Sequence, residues 1–162
     1  MSASVPHGRS RRALKRASLP PMPYRKAAIR PYKPEDSPVL FGRAQMSLGS
    51  SSRWRDDRTL AVLEGDTVFV AEVDGAPAGF VAVDEGPETL RIDELFVVPE
   101  HEDESVEWQL LEYAEGYAIA NDSSRIEAVV DGDEETALAP FRRYGFAPSS
   151  SAGRLELTLP QQ

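Results

Sequence analysis

Apolar side chains along this chain follow two periods. Short apolar or alternating runs bounded by turn residues predict strands over residues 28–32, 67–73, 78–83, 90–98, 126–130 and 154–159. Apolar positions recurring every three or four residues predict helices. The clearest runs through Val106, Leu110, Leu111, Ala114, Tyr117 and Ala118 and stops at Asn121-Asp122-Ser123-Ser124. Trp108 and Tyr113 lie partly off that stripe and are read as packing residues. Another helix is predicted over 36–48, capped by Asp36 or Ser37 and broken at Gly49-Ser50-Ser51-Ser52, and the next over 55–63, closed by Gly65. The last, over 134–144, contains Pro140, which should bend or shorten it, and stops at Gly145-Phe146. Asp74-Gly75 between two apolar runs is a hairpin signal, and Gly86-Pro87 turns the chain into residues 90–98.

The order β-α-α-β-β-β-α-β-α-β implies one α/β domain, a mixed central sheet flanked by helices, over residues 27–162. The length of 162 residues suits a single core, and no internal repeat is visible. Residues 1–26 form a basic tail, with Leu19-Pro20-Pro21-Met22-Pro23 as an extended linker. Ser10-Arg11-Arg12-Ala13-Leu14-Lys15 looks like a twin-arginine export signal. Prolines and charges follow it instead of an apolar segment, which argues against export. An organellar transit peptide would match the tail's composition but not the body's. Two readings of the tail stay open: a solvated extension, or an arm that contacts nucleic acid through Arg9, Arg11, Arg12, Lys15, Arg16, Arg25 and Lys26. Ribosomal RNA is the first candidate partner.

Charge sharpens the picture. Nine basic residues and no acid occupy the first 33 positions. The rest carries all 27 acids against nine arginines, a formal net charge of −18 without one lysine. Such a surface suits concentrated salt, where carboxylates hold their water and bare apolar surface would salt out. There is no cysteine, and His7 and His101 stand far apart, so no metal site is expected. No apolar run approaches the roughly 20 residues of a membrane span, and a cytoplasmic location is expected.

The organising stretch is Leu95-Phe96-Val97-Val98-Pro99, its acidic loop from Glu100 to Glu104, and the helix carrying Leu110-Leu111. A strand, a short loop and a helix start leave unpaired N–H groups and a positive dipole end, the arrangement that holds phosphates in many enzymes. Leu95, Val97, Pro99, Leu110 and Leu111 resemble the GNAT superfamily of acyl-CoA-dependent N-acetyltransferases, as do Ile29-Arg30-Pro31, Val70-Ala71-Glu72, Gly79-Phe80 and Gly145-Phe146. The resemblance spans residues 28–146 and implies the same fold.

It also implies which positions to inspect. The family's Arg or Gln is here Glu102, and its loop glycines are Asp103, Ser105 and Glu107. Side chains and negative charge thus stand where a glycine loop would close on pyrophosphate. The family's thiolate-protonating Tyr is Phe141, with Tyr144 nearby, and its Asn is Glu134. Glu94 stands where some members place a water-activating carboxylate, with Asp93 expected on the opposite face. His101 is read as solvated. The preferred expectation is a catalytically degenerate GNAT-like protein, needing no cofactor, that serves as a binding or assembly module with an RNA-contacting arm. The alternative is a diverged, active N-acetyltransferase holding acetyl-CoA at Val97, Val98, Ser105 and Val106, with Glu94 as base.

Overall fold

The computed structural model describes residues 25–36, 40, 65, 67–98, 105–129, 135–149 and 154–160. The helices expected over 36–48 and 55–63 lie outside the described residues, apart from Asp36, Leu40 and Gly65, which are helical. The residues from Glu100 to Glu104 lie outside as well, and so do residues 1–24 and Glu134.

Seven strands form one mixed sheet: β1 Ala28–Pro31, β2 Thr67–Val73, β3 Ala76–Glu85, β4 Thr89–Val97, β5 Arg125–Val129, β6 Ala147–Pro148 and β7 Arg154–Thr158. Their spatial order is β1-β2-β3-β4-β5-β7-β6. Among the described strands only β4 and β5 are parallel, and the crossover between them contains α1, Ser105–Ala120. Helix α2, Glu135–Tyr144, follows β5. Asp74 and Gly75 both take positive φ, 55° and 81°, as a two-residue turn between twisted strands requires. The two-residue β6 was not expected, because no periodicity can be read from two positions.

Both sheet faces are buried. Cross-strand partners share a face, so the row Phe69–Val81–Leu95 lies on one side and the row Val70–Phe80–Phe96 on the other. Helix α1 covers the first: the Tyr113 and Tyr117 rings lie 4.7 and 5.1 Å from the Phe69 ring. Val70 and Phe80, on the second, have no exposure. Helix α2 packs on α1, with the Tyr144 ring 4.8 Å from that of Trp108.

Helix ends follow capping chemistry. Asp122 is left-handed (φ 61°) at the end of α1, Ser123 donates to the Ala118 carbonyl and Asp122 to that of Ile119. Gly145, at φ 121°, ends α2 in a related way. At the other edge, Arg30 holds Asp36 through two 2.8 Å bonds and Glu72 through a third. The Arg30 guanidinium and the Lys33 amide hold the Asp36 carboxyl below its ordinary range, although burial opposes them.

Candidate active site

Strand β4 changes phase at one residue. Ala82 pairs with Glu94 and Val83 with Ile92, so Asp93 is an extra residue, a β-bulge. Strict alternation would have put Asp93 and Glu94 on opposite faces. Instead the Asp93 carboxylate accepts two bonds from Arg91, at 2.6 and 3.2 Å, and Arg91 also donates to Asp84. Asp84 pairs with Arg91 two rows from Ala82 and Glu94, so this ion cluster lies on the Glu94 face. Glu94 itself is 1% exposed.

At the bulge, β4 leaves β5. Their parallel register ends at Ile92 and Ala128, while β4 runs on to Val97. Residues 93–97 thus have no paired neighbour on the β5 side among the described residues, and this unpaired edge is called the slot. The Val98 amide donates to the Ala78 carbonyl at 2.8 Å. Alternation along an antiparallel ladder therefore turns the backbone groups of Leu95 and Val97 toward the slot. Of the two expected cofactor-binding valines, Val97 presents its backbone there and Val98 spends its N–H on β3. Gly79 lets β3 close on this part of β4. A Cβ there would stand 2.4 Å from the Phe96 carbonyl oxygen.

The start of α1 departs from expectation in two ways. Ser105 is fully buried, and its Oγ accepts the Arg25 amide at 3.0 Å. Its side chain is turned toward the segment entering β1. Gln109, which the sequence did not single out, completes this clamp. Its Oε1 accepts the Ala27 amide at 2.9 Å, and its Nε2 donates to the Arg25 carbonyl at 2.7 Å and the Ser105 carbonyl at 3.1 Å. Glu107, the second difference, pairs with Arg143 of α2 at 3.2 Å, so this acid does not stand as bare negative charge. The Val106 side chain is in the core.

The α2 positions follow the sequence more closely. Phe141 is buried, its ring edge-on to Phe146 at 5.4 Å. Tyr144, the nearby phenol, is fully buried, and its hydroxyl donates to Glu115 on α1 at 2.5 Å. Among the expected nucleic-acid contacts, Arg25 and Lys26 begin the described chain, and the other five lie outside it.

The chain is similar to known proteins. The family model described as "Acetyltransferase (GNAT) family" matches residues 25–146. No curated protein matches the chain significantly. Among solved structures, the PaiA N-acetyltransferase from Thermoplasma acidophilum, in complex with coenzyme A, superposes with a TM-score of 0.68 at 16% identity, over 82% of this chain and 99% of that one. An N-acetyltransferase from Staphylococcus aureus Mu50 gives 0.67 at 18%, over 83% and 99%. Ard1 from Thermoplasma volcanium gives 0.64 at 18%, over 83% and 99%.

Proposed function

Because the chain belongs to the GNAT acetyltransferase family, we propose that it moves an acetyl group from acetyl-CoA to an amine, with Glu94 taking the amine's proton. The observation that carries this reading is Glu94 itself, a carboxylate buried to 1% exposure where β4 bulges away from β5. Buried acidic side chains are uncommon, and functional sites are where such groups gather. The slot beside it suits an extended acyl-carrying arm, because the backbone groups of Leu95 and Val97 face it. Acetyl-CoA supplies the activated acetyl group. As the C–N bond forms and the C–S bond breaks, one proton passes from the ammonium to Glu94. With Phe141 in the family's Tyr position, the leaving thiolate takes its proton from solvent. Ser105 turned toward Arg25, and Glu107 paired with Arg143, favour an active enzyme over a degenerate one.

The test is coenzyme A release with a panel of amines in multimolar KCl. Glu94→Gln should lower kcat/KM by about 10²–10³. An unchanged rate would remove Glu94 from the chemistry.

A second reading is favoured by Phe141 and by the Tyr144 hydroxyl already bonded to Glu115. It makes the chain a binding module whose basic arm contacts structured RNA, with ribosomal RNA first. Absence of acetyl-CoA binding in calorimetry at high salt would move the case to this reading. Co-sedimentation with ribosomes, lost on removal of residues 1–26, would support the arm.

A further inference from the structure

A trough of about 570 Å³ opens between β1 and α1. Its described lining comes from residues 26–29 on one side, Ile29 among them, and from α1 on the other, with Tyr113, Gly116, Tyr117 and Ala120. Ile29 pairs with Ala71, two residues on from Phe69, so it lies on the sheet face that α1 covers. Helix α1 reaches β2 on that face through Tyr113 and Tyr117 against Phe69. Beside it, over β1, the trough has the place of one more helix in the same layer.

The helix surface along the trough is unlike the rest of the chain. Between residues 113 and 120 the one charged residue is Glu115, which is buried. The chain after Lys33, by contrast, carries a formal net charge of −18. Tyr113, at 39%, is the exposed large hydrophobic side chain among the described residues. Gly116 sits inside α1, where glycine is a poor helix former, yet nothing lies within 4 Å of where its Cβ would stand. Uncharged, aromatic patches on a charged surface mark interaction sites, and a glycine lets another helix axis come close.

We propose that the trough receives α1 of a second copy of this chain, the two helices packing antiparallel about a twofold axis. The face is self-complementary in that arrangement, as a contact between identical patches demands. With the axis between Gly116 and Tyr117, Tyr113 lies opposite Ala120 of the second copy, and Gly116 opposite its Tyr117. Large meets small at both places. The charges agree as well. Lys26 lines the trough beside Gln109, level with the C-terminal end of the opposing helix. That end is the negative pole; it has no basic residue in its last turn and runs on to Asp122. The two Glu112 carboxylates are kept about 13 Å apart along the axis. A helix from another protein would need the same order of sizes and the same negative end, and this chain carries both.

Sedimentation equilibrium of the full chain tests the dimer. The contact is apolar and the acidic bodies repel each other, so multimolar KCl should tighten it at least about tenfold over dilute buffer. A monomer at every salt concentration, or a dimer that dissociates as KCl rises, would overturn the proposal. Gly116→Glu places a side chain and a like charge at the axis and should weaken the dimer at least about tenfold. Far-ultraviolet circular dichroism should hold, because the position is open within the single chain. An undiminished dimer in that folded variant would put the contact elsewhere and overturn the proposal. The chain has no cysteine, so single cysteines report position without background. Gly116→Cys should form a disulfide between two chains at least about tenfold faster than Asp84→Cys, exposed on the opposite sheet face. Equal rates would sink the twofold contact at α1.

Discussion

The Tyr144 hydroxyl donates to the Glu115 carboxylate at 2.5 Å, in a layer between α1 and α2 where neither residue is more than 3% exposed. A buried carboxylate that loses a donor keeps its desolvation penalty without the compensation. Tyr144→Phe should therefore lower stability by about 1–3 kcal/mol in urea melts. Acetyl transfer by the folded fraction should be unchanged. Loss of kcat in that fraction would mean that Tyr144 has a part in the chemistry after all.

Gly79→Ala should be among the more damaging small substitutions in the sheet. The atom it would meet is backbone, the Phe96 carbonyl oxygen at 2.4 Å, which cannot swing aside. Overpacking of this kind costs about 1–3 kcal/mol. Gly116→Ala is the contrast: open space and a helix interior predict a gain of about 0.5–1 kcal/mol. Thermal melts of the two variants should move in opposite directions.

Arg143 neutralises Glu107 in the first turn of α1. Arg143→Ala exposes that carboxylate to any polyanion at the helix start. The KM for acetyl-CoA should rise about tenfold, equivalent to about 1.4 kcal/mol, and Glu107→Gln in the same chain should reverse most of it. The effect should shrink as KCl rises, since screening shortens the reach of charge. A KM indifferent to both substitutions would place the phosphates elsewhere.

Salt should matter to the fold as well. With −18 net charge after Lys33, self-repulsion weakens the compact state in dilute buffer. The melting midpoint should climb by tens of degrees, roughly, between low and multimolar KCl, as charge screening and salting-out act together. A flat profile would break the link between composition and a saline setting.

On the acid side, Asp36 gives a directional expectation. Its folded carboxyl lies below the ordinary 3.8, first through the Arg30 hydrogen bonds. A depressed carboxyl contributes stability that is present above the unfolded pKa and lost as pH falls through the folded value. The contribution should fade below about pH 3.8, and Asp36→Asn should flatten that part of the profile while lowering stability at neutral pH. Monitoring unfolding free energy from pH 6 to 2 checks both.

Much of the sheet was legible because its strands are bounded by strong local chemistry: Asp74-Gly75 forces a hairpin, and Gly145 a helix stop. The bulge had a trace in sequence, too. Leu90 and Ile92 are two apart and Leu95 is three further on, so one residue must be absorbed for all three to share a face. The clamp was illegible, since a glutamine on a helix does not reveal a backbone amide 82 residues away as its partner. The Glu107 and Arg143 pairing was hidden for the same reason, each lying in a helix whose packing partner only the fold supplies. Sequence pattern reports what repeats locally, and these contacts do not repeat.

The clamp on residues 25 and 27 also sets an order of events. It joins positions 80 to 84 residues apart, so β1 can be locked only after α1 has formed. Contacts of such separation close late, because loop entropy is spent before they return anything. The first of the described strands is then the last to be fastened. Its amides should exchange with deuterium well before those of β3 and β4, through openings that leave the centre of the sheet intact.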